Sequence, residues 1–116
     1  MTQTTDKELL ELAAKAAGLN LDWDSYTAMN LHRPMASFGE ANWFAWNPLT
    51  DDGDALRLAV KLGMKVYPGE AYPWREEYAD WPIQFGCAVD EDEEPDPYAA
   101  TRLAVVRAAA SIGEQL

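Results

Sequence analysis

One histidine, one cysteine and several groups of carboxylates are the residues of this 116-residue chain whose types lend themselves to catalysis or metal binding. His32, in Leu31-His32-Arg33-Pro34, titrates near neutrality and is the one candidate general base of the ordinary kind. With no second histidine and no Cys-x-x-Cys it cannot complete a zinc site. Cys87 lies in the alternating stretch Ile83 to Val89, on one face with Ile83, Phe85 and Val89. A thiolate nucleophile needs a cationic neighbour or a helix N-terminus, and the run that follows is acidic, so Cys87 is expected to be a buried, inert thiol. Ser25, Ser37 and Ser111 lack a Gly-x-Ser-x-Gly setting, and no Gly-x-Gly-x-x-Gly or Walker loop occurs. Asp51-Asp52-Gly53-Asp54 superficially resembles a calcium loop, but two acids are adjacent and no terminal Glu stands at the required spacing. Helix capping is the expected role. Asp22 and Asp24 flank Trp23, and nothing in the sequence gathers them with other acids; a solvated loop is expected there. These residues predict no catalytic set, no cofactor and no metal.

The residues suited to recognition are more numerous. Nine Lys and Arg against 20 Asp and Glu give a formal charge of −11. That balance argues against direct nucleic-acid binding, which rests on cations meeting phosphates, and against an anionic membrane surface. It suits a basic protein partner. The carboxylates Asp90, Glu91, Asp92, Glu93 and Glu94 form one unbroken run that would steer such a partner. Five tryptophans are present. Trp74, Tyr78 and Trp81 fall in the link from Pro68 to Pro82, read here as an ordered loop, and are the candidate anchors, because Trp and Tyr are favoured at interfaces. The competing expectation is that they form a satellite core under that loop.

Three helices are expected to position these residues. Thr5-Asp6-Lys7-Glu8 has the form of a capping box, Leu9, Leu12, Ala13, Ala16 and Ala17 follow at helical spacing, and Gly18 supplies the stop: a helix over 6–17. A second, over 51–62, is capped by Thr50 or Asp51, with Leu56, Ala59 and Val60 as its apolar stripe, Leu58 and Leu62 widening it, and Gly63 ending it. A third, over 97–112, opens at Asp96-Pro97 and aligns Ala99, Leu103, Val106 and Ala110. Strands are expected at Asn42–Trp46, Met64–Tyr67, Ile83–Val89 and within Tyr26–Leu31. Ala59, Val60, Leu103, Val106 and Phe85 are expected in the core. The length fits one domain over 1–116.

Three segments carry a resemblance: LLELAAKAAG (9–18), WNPLTDDGDALRLAVKLG (46–63) and YAATRLAVVRAAASIG (98–113). Together, with the middle block the most specific, they resemble the phage ABA sandwich domain, a family of small bacteriophage and prophage proteins. The resemblance implies an α/β fold, an α-β-α sandwich with a small, mainly antiparallel sheet and three helices, and it implies no reaction. Met1–Asp6 has neither a basic nor an apolar segment, no apolar run approaches the length of a membrane span, and the cysteine is single, so the cytoplasm of a bacterial host is the expected location. The function expected is that of a phage accessory module that binds a host or phage protein without catalysis. The alternatives are an acidic DNA mimic inhibiting a host defence system such as a CRISPR complex, and a small enzyme using His32 with carboxylates.

Overall fold

A computed structural model describes residues 5–23, 34–39, 42–74 and 87–116. Helix α1 spans Asp6–Ala17. The Thr5 hydroxyl accepts the Glu8 N–H at 3.1 Å, and Gly18 ends the helix at φ +75°, a conformation that is costly for a residue with a Cβ. Helix α2 spans Asp52–Leu62 and is capped by Asp51, the second of the two expected candidates; Gly63 closes it at φ +67°. Helix α3 spans Pro97–Glu114, with Asp96 accepting the Tyr98 N–H and proline at the first position. It runs past its expected end because Gly113 lies inside it rather than stopping it.

The strands form two three-stranded antiparallel sheets. The first orders β1 (Asn20–Asp22), β2 (Met35–Ser37) and β3 (Phe44–Ala45), with Leu21 opposite Ala36 and Ala36 opposite Phe44. The second orders β4 (Met64–Tyr67), β5 (Glu70–Pro73) and β6 (Cys87–Ala88). Among the described residues the protein is therefore a mixed α/β fold with three helices and antiparallel sheets. Strand β5 corrects one expectation: the start of the 68–82 link is not loop. Pro68 and Gly69, the latter at φ +75°, turn the chain in the Pro-Gly order of a tight turn, and β5 pairs back on β4. The strand expected within Tyr26–Leu31, and Ile83 to Gly86 with Phe85, lie outside the described residues.

Helix α3 is the centre of the molecule. It packs against α1 along much of its length, against β5 and β6, and against α2. Ala100, Ala104, Val105, Val106, Ala108, Ala109, Ala110 and Ile112 are all buried, so its C-terminal half is enclosed nearly all round. Val106 is core as expected, while Leu103 packs half-buried at its margin. Among the described residues no helix is long and apolar enough to cross a membrane.

The buried face of α2 differs from the expected stripe. Ala55, Leu58, Ala59 and Leu62 are buried, whereas Leu56 is 65% exposed and Val60 70%. Val60 is thus a surface residue, not core. Asp54 explains the rotation. Its carboxylate is buried, accepts the Asn47 N–H at 2.9 Å and the Arg57 guanidinium at 2.8 Å, and so turns its own face inward. Leu58 and Leu62, four and eight residues on, share that face.

Gly113 faces the backbone of α1: a Cβ there would stand 2.1 Å from the Leu12 carbonyl oxygen. Gly113→Ala should therefore force the two helices apart and cost about 1–3 kcal/mol, the usual range for overpacking. Thermal unfolding followed by circular dichroism checks this; a melting temperature equal to the parent's would contradict the close approach.

Candidate partner-binding surface

With Ala55 and Ala59 as floor, the face that α2 leaves uncovered opens a groove. Asp52 and Leu56 of α2, Val66 of β4, and Tyr98, Thr101, Arg102 and Val105 of α3 complete it. Its volume is about 230 Å³, below the roughly 300–1,000 Å³ of small-molecule pockets. Its polar lining is engaged. Arg102 donates to the Leu49 carbonyl at 2.9 Å and to Asp52 at 2.6 Å. The Thr101 hydroxyl accepts the Gly69 N–H at 2.8 Å and donates to the Pro97 carbonyl at 2.7 Å. What remains is apolar wall: Leu56 on one side, and on the other Tyr98, 69% exposed. Val66, Tyr67, Pro68, Pro97 and Tyr98 carry the same surface on as a shallow shelf. Large exposed apolar patches on soluble proteins commonly mark contact sites.

Strand alternation places a second surface beside the first. Lys65 and Tyr67 of β4 stand opposite Tyr72 and Glu70 of β5, so all four share the sheet face turned away from Val66 and Ala71. Tyr67 and Tyr72 meet edge-on with centroids 6.2 Å apart, and Lys65 Nζ lies 3.3 Å from the Trp74 ring centroid, a cation–π contact. The Tyr72 hydroxyl donates to Glu70, and that bond holds the phenol above its ordinary pKa. Trp74 is 66% exposed, so it is on the surface rather than in a satellite core.

The acidic run is an ordered turn. The N–H groups of Glu93 and Glu94 both donate to the Asp90 carbonyl at 3.0 Å. Asp90, Glu91 and Asp92 are exposed, Glu94 is half-buried and accepts the Asp96 N–H, and Glu93 is held in a bidentate pair by Arg107. The Arg107 hydrogen bonds keep the Glu93 carboxyl below its ordinary range. Trp74 and the run lie at opposite ends of β5: Val89 N–H donates to the Gly69 carbonyl, whereas Trp74 N–H donates to that of Gly63. Five residues of strand between those ends span about 16 Å. Along the chain the run leads through Asp96 to Pro97 and Tyr98, while Glu93 packs back on Arg107, nine residues further along α3. Tyr78, Trp81 and His32 lie outside the described residues.

A third patch, around Phe38, Phe44 and Lys61, has the Lys61 ammonium 5.2 Å from the Phe38 ring centroid. Sequence reasoning missed it and missed the groove. The signal for the groove was a surplus: six of the eleven residues of α2 are Ala, Leu or Val, more than one buried face can hold.

The acids at the start of α2 do structural work. Asp51 Oδ2 accepts the Asp54 N–H at 2.8 Å, and Asp54 and Asp52 are bound by Arg57 and Arg102. Among the described residues no group of three or more His, Cys, Asp or Glu is placed to hold a metal. Cys87 is half-buried, and desolvation pushes its thiol above the ordinary value although Arg107 opposes the shift. A raised pKa means the thiol keeps its proton at neutral pH. Iodoacetamide should therefore label Cys87 more slowly than a free cysteine at pH 7.5, with its rate climbing at a higher pH than the free thiol's. Mass spectrometry of timed samples checks this; labelling as fast as free cysteine would show an active thiolate.

Comparison with protein-family models, with characterised proteins and with solved structures finds no match to this chain.

Proposed function

We propose that the protein is a non-enzymatic binding module, a phage or prophage accessory protein of the kind its resemblance suggests, and that it holds a basic host or phage protein in the bacterial cytoplasm. The observation that carries this reading is the groove between α2, β4 and α3. Leu56 and Tyr98 stand exposed on its walls over a floor of alanines. Its Thr101 and Arg102 are already engaged within the fold, which leaves little to orient a reacting small molecule. Apolar side chains of a partner suit it better, since buried aliphatic and aromatic anchors supply most of the affinity at interfaces. The chain's −11 charge favours a partner of opposite sign and speeds its arrival.

Leu56→Asp and Tyr98→Ala test this. Both residues are exposed, so each substitution should change stability by no more than about 0.5 kcal/mol. The tagged parent, incubated with host lysate, should retain a basic protein identified by mass spectrometry, and the Leu56→Asp/Tyr98→Ala double variant should lose it. Raising salt should slow association of the purified pair. Equal retention by the folded double variant would refute the groove as the binding site.

A further inference from the structure

Among the described residues strand β4 is an edge of its sheet, and its backbone phase can be read from its neighbours. Trp74 N–H donates to the Gly63 carbonyl at 2.9 Å, so those two residues form a bonded pair. Bonded and non-bonded pairs alternate along an antiparallel ladder. With Met64 opposite Pro73, Lys65 opposite Tyr72, Val66 opposite Ala71 and Tyr67 opposite Glu70, Lys65 and Tyr67 bond inward to β5. Met64 and Val66 direct their N–H and C=O groups outward. Pro73 fits this phase, because opposite Met64 the β4–β5 ladder requires no donor. Among the described residues none pairs with the outward groups of Val66, and Val66 itself is exposed.

Exposed edges are commonly screened by charge. The charged residue of β4 is Lys65, and its ammonium is drawn across the sheet onto Trp74. Both faces beside the edge carry apolar surface. The groove with Leu56, Val66 and Tyr98 lies on one side, and Tyr67 and Trp74 lie on the other.

We propose that the outer edge of β4 receives an extended segment of the partner as a fourth strand of the second sheet, a segment that alternates apolar residues and carries Lys or Arg. This deepens the partner-binding reading and rests on it. Main-chain hydrogen bonds to Val66 supply register and affinity, while alternate side chains enter the groove and lie over the Tyr67–Trp74 face. Charge selects the occupant. Asp52 at the groove is paired with Arg102, so the field there is that of the whole chain, which carries −11. A basic segment gains from that field, whereas a second copy of this acidic chain is repelled by it. An amphipathic helix would fill the groove alone and leave the Val66 N–H unpaired.

The probe is a set of dodecapeptides selected from a random phage-displayed library on the full chain. Selected sequences should alternate apolar residues and include Lys or Arg. A synthetic representative should slow hydrogen exchange of the Val66 amide about tenfold or more. Val66→Pro removes the outward donor without removing a β4–β5 bond, and should weaken the peptide about tenfold, the effect of one well-made hydrogen bond. Val66→Ala keeps the donor, so saturating peptide should still slow exchange of the residue-66 amide about tenfold, whatever affinity the two lost carbons remove. If Val66→Pro does not fold, the exchange measurement on the parent decides. Helically spaced peptides that leave Val66 exchange unchanged, failure to select any peptide, a folded Val66→Pro that binds like the parent, or a dimer of the chain alone that protects Val66 would each overturn strand addition. Loss of partner capture in the groove variants, with Val66 still open to exchange, would leave the partner-binding reading standing and this inference refuted.

Discussion

The close approach of α3 to α1 at Gly113 and Leu12 is the contact on which the rest of the fold depends. It is made possible by small side chains: Ala104, Ala108 and Ala109 on α3, Ala13 and Ala14 on α1, all fully or almost fully buried. Backbones that approach this closely gain dispersion contacts along their length, each weak and together large. They also enclose α3, which must then satisfy neighbours on several sides at once. The β5–β6 face takes one of them. Helix α2 meets α3 over a smaller contact than α1 does and is left with Leu56 and Val60 uncovered. The exposed groove is thus a product of core geometry: the centre is occupied by a thin, alanine-rich helix, and α2 cannot close completely over it.

Charge is divided between two tasks. Asp51, Asp52 and Asp54 are bound into the N-terminal turn of α2, where N–H groups and arginines meet them. Such groups stabilise the helix terminus and fix its rotation. The segment from Asp90 to Asp96 is less consumed: Glu93 is bound by Arg107 and Asp96 caps α3, while Asp90, Glu91 and Asp92 face water. The same residue type therefore builds the fold in one segment and sets the surface field in the other.

The helices were legible because their signals are local. Thr5, Asp51 and Asp96 cap as their types and spacing suggest, and Gly18 and Gly63 stop as expected. The rotation of α2 was not legible. Apolar residues at 55, 56, 58, 59, 60 and 62 allow more than one stripe, and the choice is made by the Asp54–Asn47 bond, which joins the end of one element to the start of another. Strand β5 was hidden by Pro68 before it and Pro73 at its end, which read as punctuation in sequence although Pro73 occupies a ladder position that needs no donor. Of the candidate contact residues, the acidic run was legible as surface chemistry, whereas the exposure of Trp74 was not, since a satellite core under the loop was also open to it, and their separation along β5 depends on strand register, which composition does not encode. The groove needed α2, β4 and α3 brought together, and no single segment announces it.

The same α1–α3 contact joins residues roughly 100 positions apart in the chain. During synthesis at about 5–20 residues per second, α1 leaves the ribosome some 5–20 seconds before the helix that covers it. For that interval the part of α1 that meets α3 has only β1 and α2 to pack on. The α1–α3 part of the core cannot close until α3 arrives. Until then α1 presents its apolar face to whatever chaperone surface is nearby, so the arrangement that gives the finished molecule its centre also makes the nascent chain dependent on its surroundings.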